Sequence, residues 1–322
     1  MKTYYVKDLQ KGLVLSNETF AVKSTESALT KDGKQYFKIV LIDKTGEIKG
    51  QVWNDKIPNI EKGSLVAGKV VMISGTVEDY RGSLQLNLFS VTKVNEAQLD
   101  EYMEASDFDL NQLWEELNGY VENLTTPEIK DLLKSVFADD EITRKFKIHP
   151  AAEYVHHSFQ GGLLEHVVEM LDLAQPLRKY YPEANFDLVT AGIIFHDIGK
   201  LFELEPTGVV VQRTAEGHLI GHLVKSYQYI HEKAVGKMPE KLLMQLEHII
   251  LAHHGELAYG SPVVPATIEA MIVNSVDYTS SKVRIFQKLI RKNSGSESEF
   301  SDWDKIVGTK IYLGNQETSE VY

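Results

Sequence analysis

Histidine is concentrated in one part of this chain. All 11 histidines lie between His149 and His254 of a 322-residue sequence. Short motifs within or just after that stretch supply seven histidine and aspartate side chains: His166, His196, Asp197, His222, His253, His254 and Asp277. Imidazole together with carboxylate suits a mid-row transition metal. One ion would leave several of these groups unused, whereas two ions that share an aspartate would use all of them.

The order of these groups resembles that of a known family. His166, then His196-Asp197, then Asp277 follow the pattern H…HD…D of the HD-domain phosphohydrolases. The three further histidines resemble those of the members that hold two metals. Over nearly the whole chain, the sequence looks most like the YhaM-type 3′→5′ exoribonucleases, in which an HD domain follows an N-terminal OB-fold.

The resemblance implies a ligand assignment for two divalent ions. The first ion would be held by His166, His196, Asp197 and Asp277. The second would be held by Asp197, His222, His253 and His254, with Asp197 bridging. Manganese is the first expectation for these ions, with iron, cobalt or zinc as alternatives. Two such ions roughly 3.5–4 Å apart bind phosphate oxygens and activate water in phosphodiester hydrolysis.

Lys200 is the second predicted catalytic residue, beside Asp197. It lies three residues after Asp197 in the run His-Asp-Ile-Gly-Lys. Near the phosphate oxygens or the leaving group, an ammonium would stabilise the transition state. The alternative is a surface lysine that closes a helix.

Other histidines have simpler explanations. His149 precedes a proline and is predicted to be a loop residue. His218 lies one helical turn before His222, a spacing that allows metal chelation. The family pattern places the ligand at His222, so His218 is left out of the predicted site. His157 stays open as a residue that touches substrate.

The composition bounds the type of protein. A length of 322 residues and a hydrophobic content of 43% suit two ordinary globular domains. Cysteine is absent, which excludes a disulfide framework and fits a reducing cytoplasm. No apolar run approaches the roughly 18 residues of a membrane helix, and the first residues lack a signal-peptide core. We therefore expect a cytoplasmic protein without a membrane partner.

The net charge of −12 is distributed unevenly. Residues 1–100 hold 14 lysines and arginines against 12 acidic residues, whereas the remaining residues hold 20 against 34. Part of the later acidity belongs to the candidate metal ligands, whose charge two divalent ions would offset. The overall acidity therefore does not argue against a nucleic-acid partner for the N-terminal part.

Residues 13–94 are predicted to form β structure. Four short extended runs are separated by turn sequences and not by helices: 35–42, 47–53, 70–77 and 84–91. This pattern indicates a small barrel or sandwich. The alternation of side chains places Trp53 and Phe89 among polar residues, on the face opposite to the apolar core.

These aromatics suggest what the barrel binds. An OB-fold holds single strands by stacking bases on exposed rings inside a basic groove. Trp53, Phe89 and Tyr36 supply the rings, and Lys49 supplies positive charge beside them. The alternative is that these rings pack against the following domain or a neighbouring subunit. A face for single-stranded RNA is the stronger expectation, with single-stranded DNA as a further partner.

The rest of the chain is predicted to be helical. One helix is expected to begin near His218 and to carry His222. Adjacent residues on a helix point about 100° apart, so the pairs His196-Asp197 and His253-His254 are expected at helix ends or turns. The tail begins with a polar run and then returns apolar side chains, which favours docking on its own or a neighbouring subunit.

The predicted fold class is multidomain α and β, with an OB-type β-barrel followed by an all-α HD domain. The expected divisions are an OB-fold domain, a helical connector, an HD domain and a tail, in residues 1–96, 97–150, 151–292 and 293–322. By resemblance, the protein is a metal-dependent 3′→5′ exoribonuclease that releases 5′-mononucleotides.

Two alternatives to this function stay open. One is an HD phosphohydrolase that acts on small nucleotides or cyclic dinucleotides. The other is a single-strand-binding protein with an inactive HD domain, against which the complete ligand set argues. A homo-oligomer is compatible with the sequence.

Overall fold

The computed structural model describes residues 2–95, 101, 102, 106, 108–152, 159–293 and 298–314. It divides into two compact units, Met1–Ala105 with Glu205–Gln212, and Ser106–Leu204 with Arg213–Tyr322. His157 and the expected domain boundary after residue 96 lie outside the described residues, so those expectations stay predictions.

The first unit contains a closed five-stranded β-barrel. Its strands are β1 (Val14–Leu29), β2 (Gln35–Asp43), β3 (Gly46–Val52), β4 (Val70–Tyr80) and β5 (Ser83–Lys93). They pair in the order β1-β2-β3-β5-β4. All neighbours are antiparallel except the parallel pair β3–β5. This is the five-stranded barrel of an OB-fold and confirms the predicted fold class.

Alternating side chains fill the barrel. In β5, Leu86 and Leu88 are fully buried, whereas the residues between and beside them face outward. The turn from β4 to β5 consists of Arg81 and Gly82, with φ of 54° and 80°. Positive φ at both positions is the two-residue hairpin geometry that matches the twist of antiparallel strands. The turn therefore fixes the register that places Leu86 and Leu88 inside.

β1 departs from simple alternation. Its pairing with β4 shifts register between Leu15 and Glu18, and Asn17 between them has φ of 55°. Its pairing with β2 shifts again between Val22 and Ser24. Such bulges bend a strand and help it to curl around a barrel.

Most of a hairpin from the later sequence clusters with the first unit. It consists of β6 (Leu204–Thr207) and β7 (Val210–Arg213), and residues 205–212 cluster with the barrel. One buried apolar cluster joins the two parts: Ala21, Val70, Tyr102, Val209 and Val210. A Cβ atom on Gly208 would lie 2.1 Å from the carbonyl oxygen of Gly68, so glycine is required at this close approach.

The second unit is built from ten helices within the described residues. They are α1 (Leu110–Glu122), α2 (Pro127–Phe137), α3 (Asp140–Ile148), α4 (Gly162–Ala174), α5 (Phe186–Phe195), α6 (Lys200–Glu203), α7 (Ala215–Leu219), α8 (His222–Ala234), α9 (Glu240–Ala252) and α10 (Ile268–Lys292). One apolar core runs from α1 to α10. Asp109, Asp139 and Asn185 cap the first turns of α1, α3 and α5 by accepting hydrogen bonds from backbone N–H groups.

The single helix predicted from near His218 is wrong. Gly221, with φ of 75° and ψ of 160°, separates α7 from α8. His222 is therefore the first residue of α8, and His218 belongs to the short α7. Among the described residues, no helix combines the length and apolar character that crossing a membrane requires.

The described part of the tail folds back on itself. Bridges join Phe300 to Tyr312 and Asp304 to Thr309. Ile311 is buried in this fold. Trp303, Ile306 and Tyr312 are exposed, so docking of the tail on its own or a neighbouring subunit stays a prediction.

Candidate metal centre and nucleic-acid face

The seven predicted ligands come from five helices or their ends. His166 lies in α4, His196 and Asp197 follow α5, His222 opens α8, His253 and His254 follow α9, and Asp277 lies in α10. The two adjacent pairs lie at helix ends, as the sequence predicted. Each pair directly follows the last residue of its helix, and both of its side chains reach one centre.

The turn after α5 depends on close backbone packing. A Cβ atom on Gly199 would lie 2.3 Å from the carbonyl oxygen of His222, so only glycine fits beneath α8. The Gly199 N–H donates to Ser226 Oγ, and that hydroxyl donates to the His196 carbonyl. Ser226 is fully buried and thereby fixes the start of α8 against the turn that presents Asp197.

Asp197 lies at the middle of the cluster. Its Oδ2 is 3.2 Å from His196 Nε2. Its Oδ1 is 3.4 Å from His222 Nε2 and 3.7 Å from His253 Nε2. The two oxygens of one carboxylate therefore face different histidines.

The remaining ligands complete the cluster. His166 Nε2 is 3.3 Å from Asp277 Oδ1, and His222 Nε2 is 3.2 Å from His254 Nε2. Three overlapping groups each bring their ligand atoms within 4.8 Å of one another: His222 with His253 and His254, His166 with His196 and Asp197, and His196 with His253 and Asp277. The structure thus brings all seven predicted residues together.

Each of the five histidines is oriented through Nδ1. The Nδ1 partners are Ser280 Oγ for His166 (3.0 Å), Ile193 O for His196 (2.7 Å), Glu203 Oε2 for His222 (2.6 Å), Ile250 O for His253 (2.7 Å) and Tyr259 O for His254 (2.9 Å). A nitrogen that donates to such an oxygen carries the proton of a neutral imidazole. The lone pair then belongs to Nε2, the metal-binding nitrogen, which faces the other ligands.

Two buried atoms test whether the cluster suits a cation. His196 Nε2 and Asp197 Oδ1 have no hydrogen-bond partner within the described part of the chain. A buried polar atom without a partner costs roughly 1–3 kcal/mol, and more when it is charged. A divalent ion bound between them would satisfy both atoms. The residues present therefore fit a metal centre.

Burial and charge set the protonation of the ligands. Burial lowers the pKa of His253 well below its usual range and also lowers that of His254. Burial alone would raise the pKa of Asp197, but the positive charge of Lys200 beside it holds that pKa well below its usual range. At neutral pH His253 and His254 are therefore neutral imidazoles and Asp197 is a carboxylate, which are the forms that bind a cation.

Lys200 lies at the centre and not on the surface. Its Nζ is 2.5 Å from Asp197 Oδ2, and its side chain is 12% exposed. This burial does not fit the alternative of a surface lysine. Its catalytic role stays a prediction.

His149 makes a contact that the sequence analysis missed. The residue follows α3 in a loop, as predicted, but it is buried and its Nε2 lies 3.0 Å from the Lys200 carbonyl oxygen. Burial lowers its pKa to about 4, so the ring is neutral at pH 7 and donates to that carbonyl. His149 thereby holds the first residue of α6. Its proline neighbour revealed the loop and gave no sign of this partner.

Glu203 and Arg213 were also missed. Glu203 ends α6, is buried, and contacts His222 through the Nδ1 hydrogen bond. Arg213 Nη2 lies 3.3 Å from the other carboxylate oxygen of Glu203. Their spacing from the HD motif is not a recognisable pattern, so only the three-dimensional structure reveals them.

The predicted aromatic face lies on neighbouring strands of the barrel. The ring of Tyr36 in β2 stacks on Trp53, which directly follows β3, with centroids 5.1 Å apart. Gln51 faces Asn87 across the parallel pair β3–β5, and Trp53 and Phe89 each follow two residues later on the same face. Trp53 and Phe89 are 38% and 36% exposed. The three rings therefore line one outward surface.

Lys49 lies on the same surface. It is exposed in β3, two residues before Gln51 and four before Trp53. Successive odd positions of a strand point to one side, so its ammonium group extends along the aromatic face. The predicted nucleic-acid residues thus share one side of the barrel.

Comparison with known families agrees with both units. Residues 163–282 match the family model of the HD domain, and residues 11–94 match that of the OB-fold nucleic acid binding domain. The protein is therefore an HD-domain protein with an N-terminal OB-fold. An HD domain implies divalent-metal binding, and an OB-fold of this type implies a single-stranded nucleic acid.

A full-length relative identifies the family. The 3′-5′ exoribonuclease YhaM of Geobacillus sp. (strain WCH70) is 32% identical over 276 residues, which cover 84% of this chain and 83% of the relative. The chain belongs to the YhaM family. The resemblance recognised in the sequence is thereby confirmed.

Solved OB domains are also similar to the barrel. The second OB-fold domain of replication protein A from Methanococcus maripaludis has 22% identity and a TM-score of 0.23, and the alignment covers 30% of this chain and 97% of that one. The OB domain of a protein from Methanosarcina mazei has 20% identity and a TM-score of 0.24, with coverage of 32% and 94%. The fold assignment rests on the barrel topology and not on these scores.

Proposed function

We propose that this chain is a metal-dependent exoribonuclease that removes nucleotides from the 3′ end of single-stranded RNA. The activity and its direction are supported by the name of the YhaM relative. The HD domain and the OB-fold supply a hydrolytic centre and a nucleic-acid-binding domain. This favours the exoribonuclease over a hydrolase of small nucleotides.

The observation that carries the proposal is the arrangement around Asp197. Its Oδ2 faces His196, and its Oδ1 faces His222 and His253. One carboxylate oxygen toward each group of histidines supports a shared ligand between two ions.

We therefore assign the seven ligands to two sites. The first site consists of His166, His196, Asp197 and Asp277, and the second of Asp197, His222, His253 and His254. Imidazole and carboxylate ligands together suit a mid-row divalent ion, and manganese is the ion that we propose. When bound, the two ions supply positive charge for phosphate oxygens and activation of water.

The side chains near the centre position the proposed ligands and supply charge to the substrate phosphate. Asp197 would hold the two sites in fixed relation, because its Oδ2 faces His196 and its Oδ1 faces His222 and His253. Lys200 carries a positive charge within 2.5 Å of that carboxylate, where it is available to the phosphate or the leaving oxygen. A positioned donor of this kind stabilises the negative charge that develops during hydrolysis. His149 keeps Lys200 in place through its backbone.

We propose that the β-barrel binds the single-stranded RNA. Tyr36, Trp53 and Phe89 offer rings on which successive bases stack, and Lys49 attracts the backbone. Stacking does not depend on the 2′-hydroxyl, so we propose that single-stranded DNA also binds this face.

Two labelled forms of one RNA oligonucleotide test the proposal. With Mn²⁺, the 3′-labelled form should release labelled mononucleotide at once, and the 5′-labelled form should give a ladder that shortens stepwise. Free nucleotides and cyclic dinucleotides should not be consumed at a comparable rate. Immediate release of label from the 5′ end, or hydrolysis confined to small nucleotides, would contradict the proposal.

A further inference from the structure

Glu203 is a buried carboxylate at the edge of the metal centre. It is 4% exposed, and its Oε2 lies 2.6 Å from His222 Nδ1. His222 Nε2 faces Asp197 and His254, which belong to the second proposed site. Glu203 therefore contacts a ligand on the side opposite to the metal.

This partner differs in charge from those of the other ligand histidines. His196, His253 and His254 have backbone carbonyl oxygens at Nδ1, and His166 has the Ser280 hydroxyl. All four partners are neutral. Within the described part of the chain, His222 is the one ligand histidine whose Nδ1 partner is a carboxylate.

The position of Glu203 is fixed from several sides. Its N–H donates to the Gly199 carbonyl, and its own carbonyl accepts from the Thr214 N–H. A Cβ atom on Gly217 would lie 2.8 Å from Glu203 Cγ, so the backbone of α7 packs directly against this side chain. Arg213 Nη2 holds the second carboxylate oxygen at 3.3 Å. Little freedom is left for the carboxylate to turn away from His222.

We propose that Glu203 is a positioning residue that sets the affinity of the second metal site. Its carboxylate keeps the proton of His222 on Nδ1, fixes the plane of the ring, and makes Nε2 a stronger donor to the cation. It also adds a negative charge near that site. Carboxylate partners of ligand histidines act in this way in metalloproteins generally. The inference rests on the two-ion assignment proposed above.

Because only His222 has a charged Nδ1 partner in this set, loss of Glu203 should affect one metal site and not the other. Loss of such a partner weakens metal affinity by about 10- to 100-fold. Glu203→Gln should weaken binding of one Mn²⁺ ion by this factor and leave the other unchanged. Ser280→Ala, which removes the hydroxyl at His166 Nδ1, should instead weaken the ion of the first site. Glu216→Gln is the matched control, because Glu216 is exposed and its partner Lys225 is not a proposed ligand.

The experiment measures metal binding without substrate. Full-length protein is stripped with a chelator, the melting temperature of each stripped variant is compared with wild type, and Mn²⁺ is titrated by calorimetry. Electron paramagnetic resonance at each ratio reports whether two Mn²⁺ ions interact. We expect two ions in wild type and in Glu216→Gln. In Glu203→Gln we expect one tight ion, with the interacting-pair spectrum only at higher Mn²⁺ concentration.

The possible results distinguish a failure of the role of Glu203 from a failure of the two-ion assignment. Two ions bound to Glu203→Gln with wild-type affinity would overturn the role of Glu203 and leave the two-ion assignment intact. Equal weakening of both ions would overturn its selectivity for the second site. A single ion in wild type would overturn the two-ion assignment itself. If stripped Glu203→Gln melts early, Glu203→Asp tests the same contact, because the shorter side chain withdraws the carboxylate from His222 Nδ1. Unchanged binding of both ions in that variant would overturn the proposal.

Discussion

The aromatic face of the barrel allows a prediction that separates strand binding from hydrolysis. Replacing Trp53 and Phe89 together by Ala removes the two exposed rings that follow β3 and lie in β5. Both side chains point outward, so the apolar core of the barrel loses no contact that supports its fold. We expect weaker binding of single-stranded RNA with unchanged hydrolysis of a small phosphodiester.

The size of the loss follows from stacking. Each base stacked on an aromatic ring contributes about 1–3 kcal/mol, so two independent stacks contribute at least about 2 kcal/mol, or roughly 30-fold in Kd. The two rings share one face and would hold one strand, so their losses couple. Tyr36 also remains, having lost its neighbour at 5.1 Å. We therefore expect a loss of at least about tenfold.

Fluorescence anisotropy with a labelled RNA oligonucleotide and a chelator measures this binding without hydrolysis. Tyr180 and Tyr181, exposed aromatics of the helical unit, provide a matched control when replaced together by Ala. A chromogenic phosphodiester with Mn²⁺ measures the chemistry, because that substrate needs only the centre. Unchanged RNA affinity in a double variant of normal melting temperature would refute the assignment of these rings. A fall in both activities with a lower melting temperature would indicate a folding defect.

Three further predictions concern the centre and its support. Asp197→Ala removes a ligand from both sites, so it should abolish RNA hydrolysis while RNA binding stays near wild type. Hydrolysis at a near wild-type rate with added Mn²⁺ would contradict the assignment of Asp197 as a shared ligand. Lys200→Ala should keep both ions by elemental analysis, because an ammonium group is not a ligand, and should lower kcat by roughly 100-fold in single-turnover kinetics. Loss of metal would instead give Lys200 a structural role. The pKa of His149 is lowered to about 4, below the 6.5 of an exposed histidine, so protons bind the unfolded state preferentially as pH falls between these values. This group should reduce the free energy of unfolding by roughly 2 kcal/mol between pH 7 and pH 5, and denaturant unfolding of His149→Asn should lack that component.

The strands of the barrel show which elements a local sequence pattern can predict. Turn sequences and alternating side chains predict the strands that became β2 to β5, because each signal lies within a few neighbouring residues. β1 lay within the predicted β region, but its bounds were not recognised. Its bulges, around Asn17 and between Val22 and Ser24, interrupt the alternation on which such a prediction depends.

In the helical unit, too, some features were predicted from the sequence and others were missed. The pairs His196-Asp197 and His253-His254 were expected at helix ends, because two adjacent side chains on a helix cannot face one point. The break before His222 was missed. Gly221 is compatible with a helix interior in sequence, and its positive φ becomes visible only in the fold.

The sequence by itself determined the barrel, the helical unit and the set of groups able to bind metal. Residue type and spacing suffice for these because secondary structure and ligand chemistry are local properties. The tertiary structure decided how the groups are held: the Nδ1 partners of the histidines, Glu203 behind His222, and His149 behind Lys200. It also decided that residues 205–212 cluster with the barrel. These contacts join residues through space, and no regular spacing along the chain encodes them.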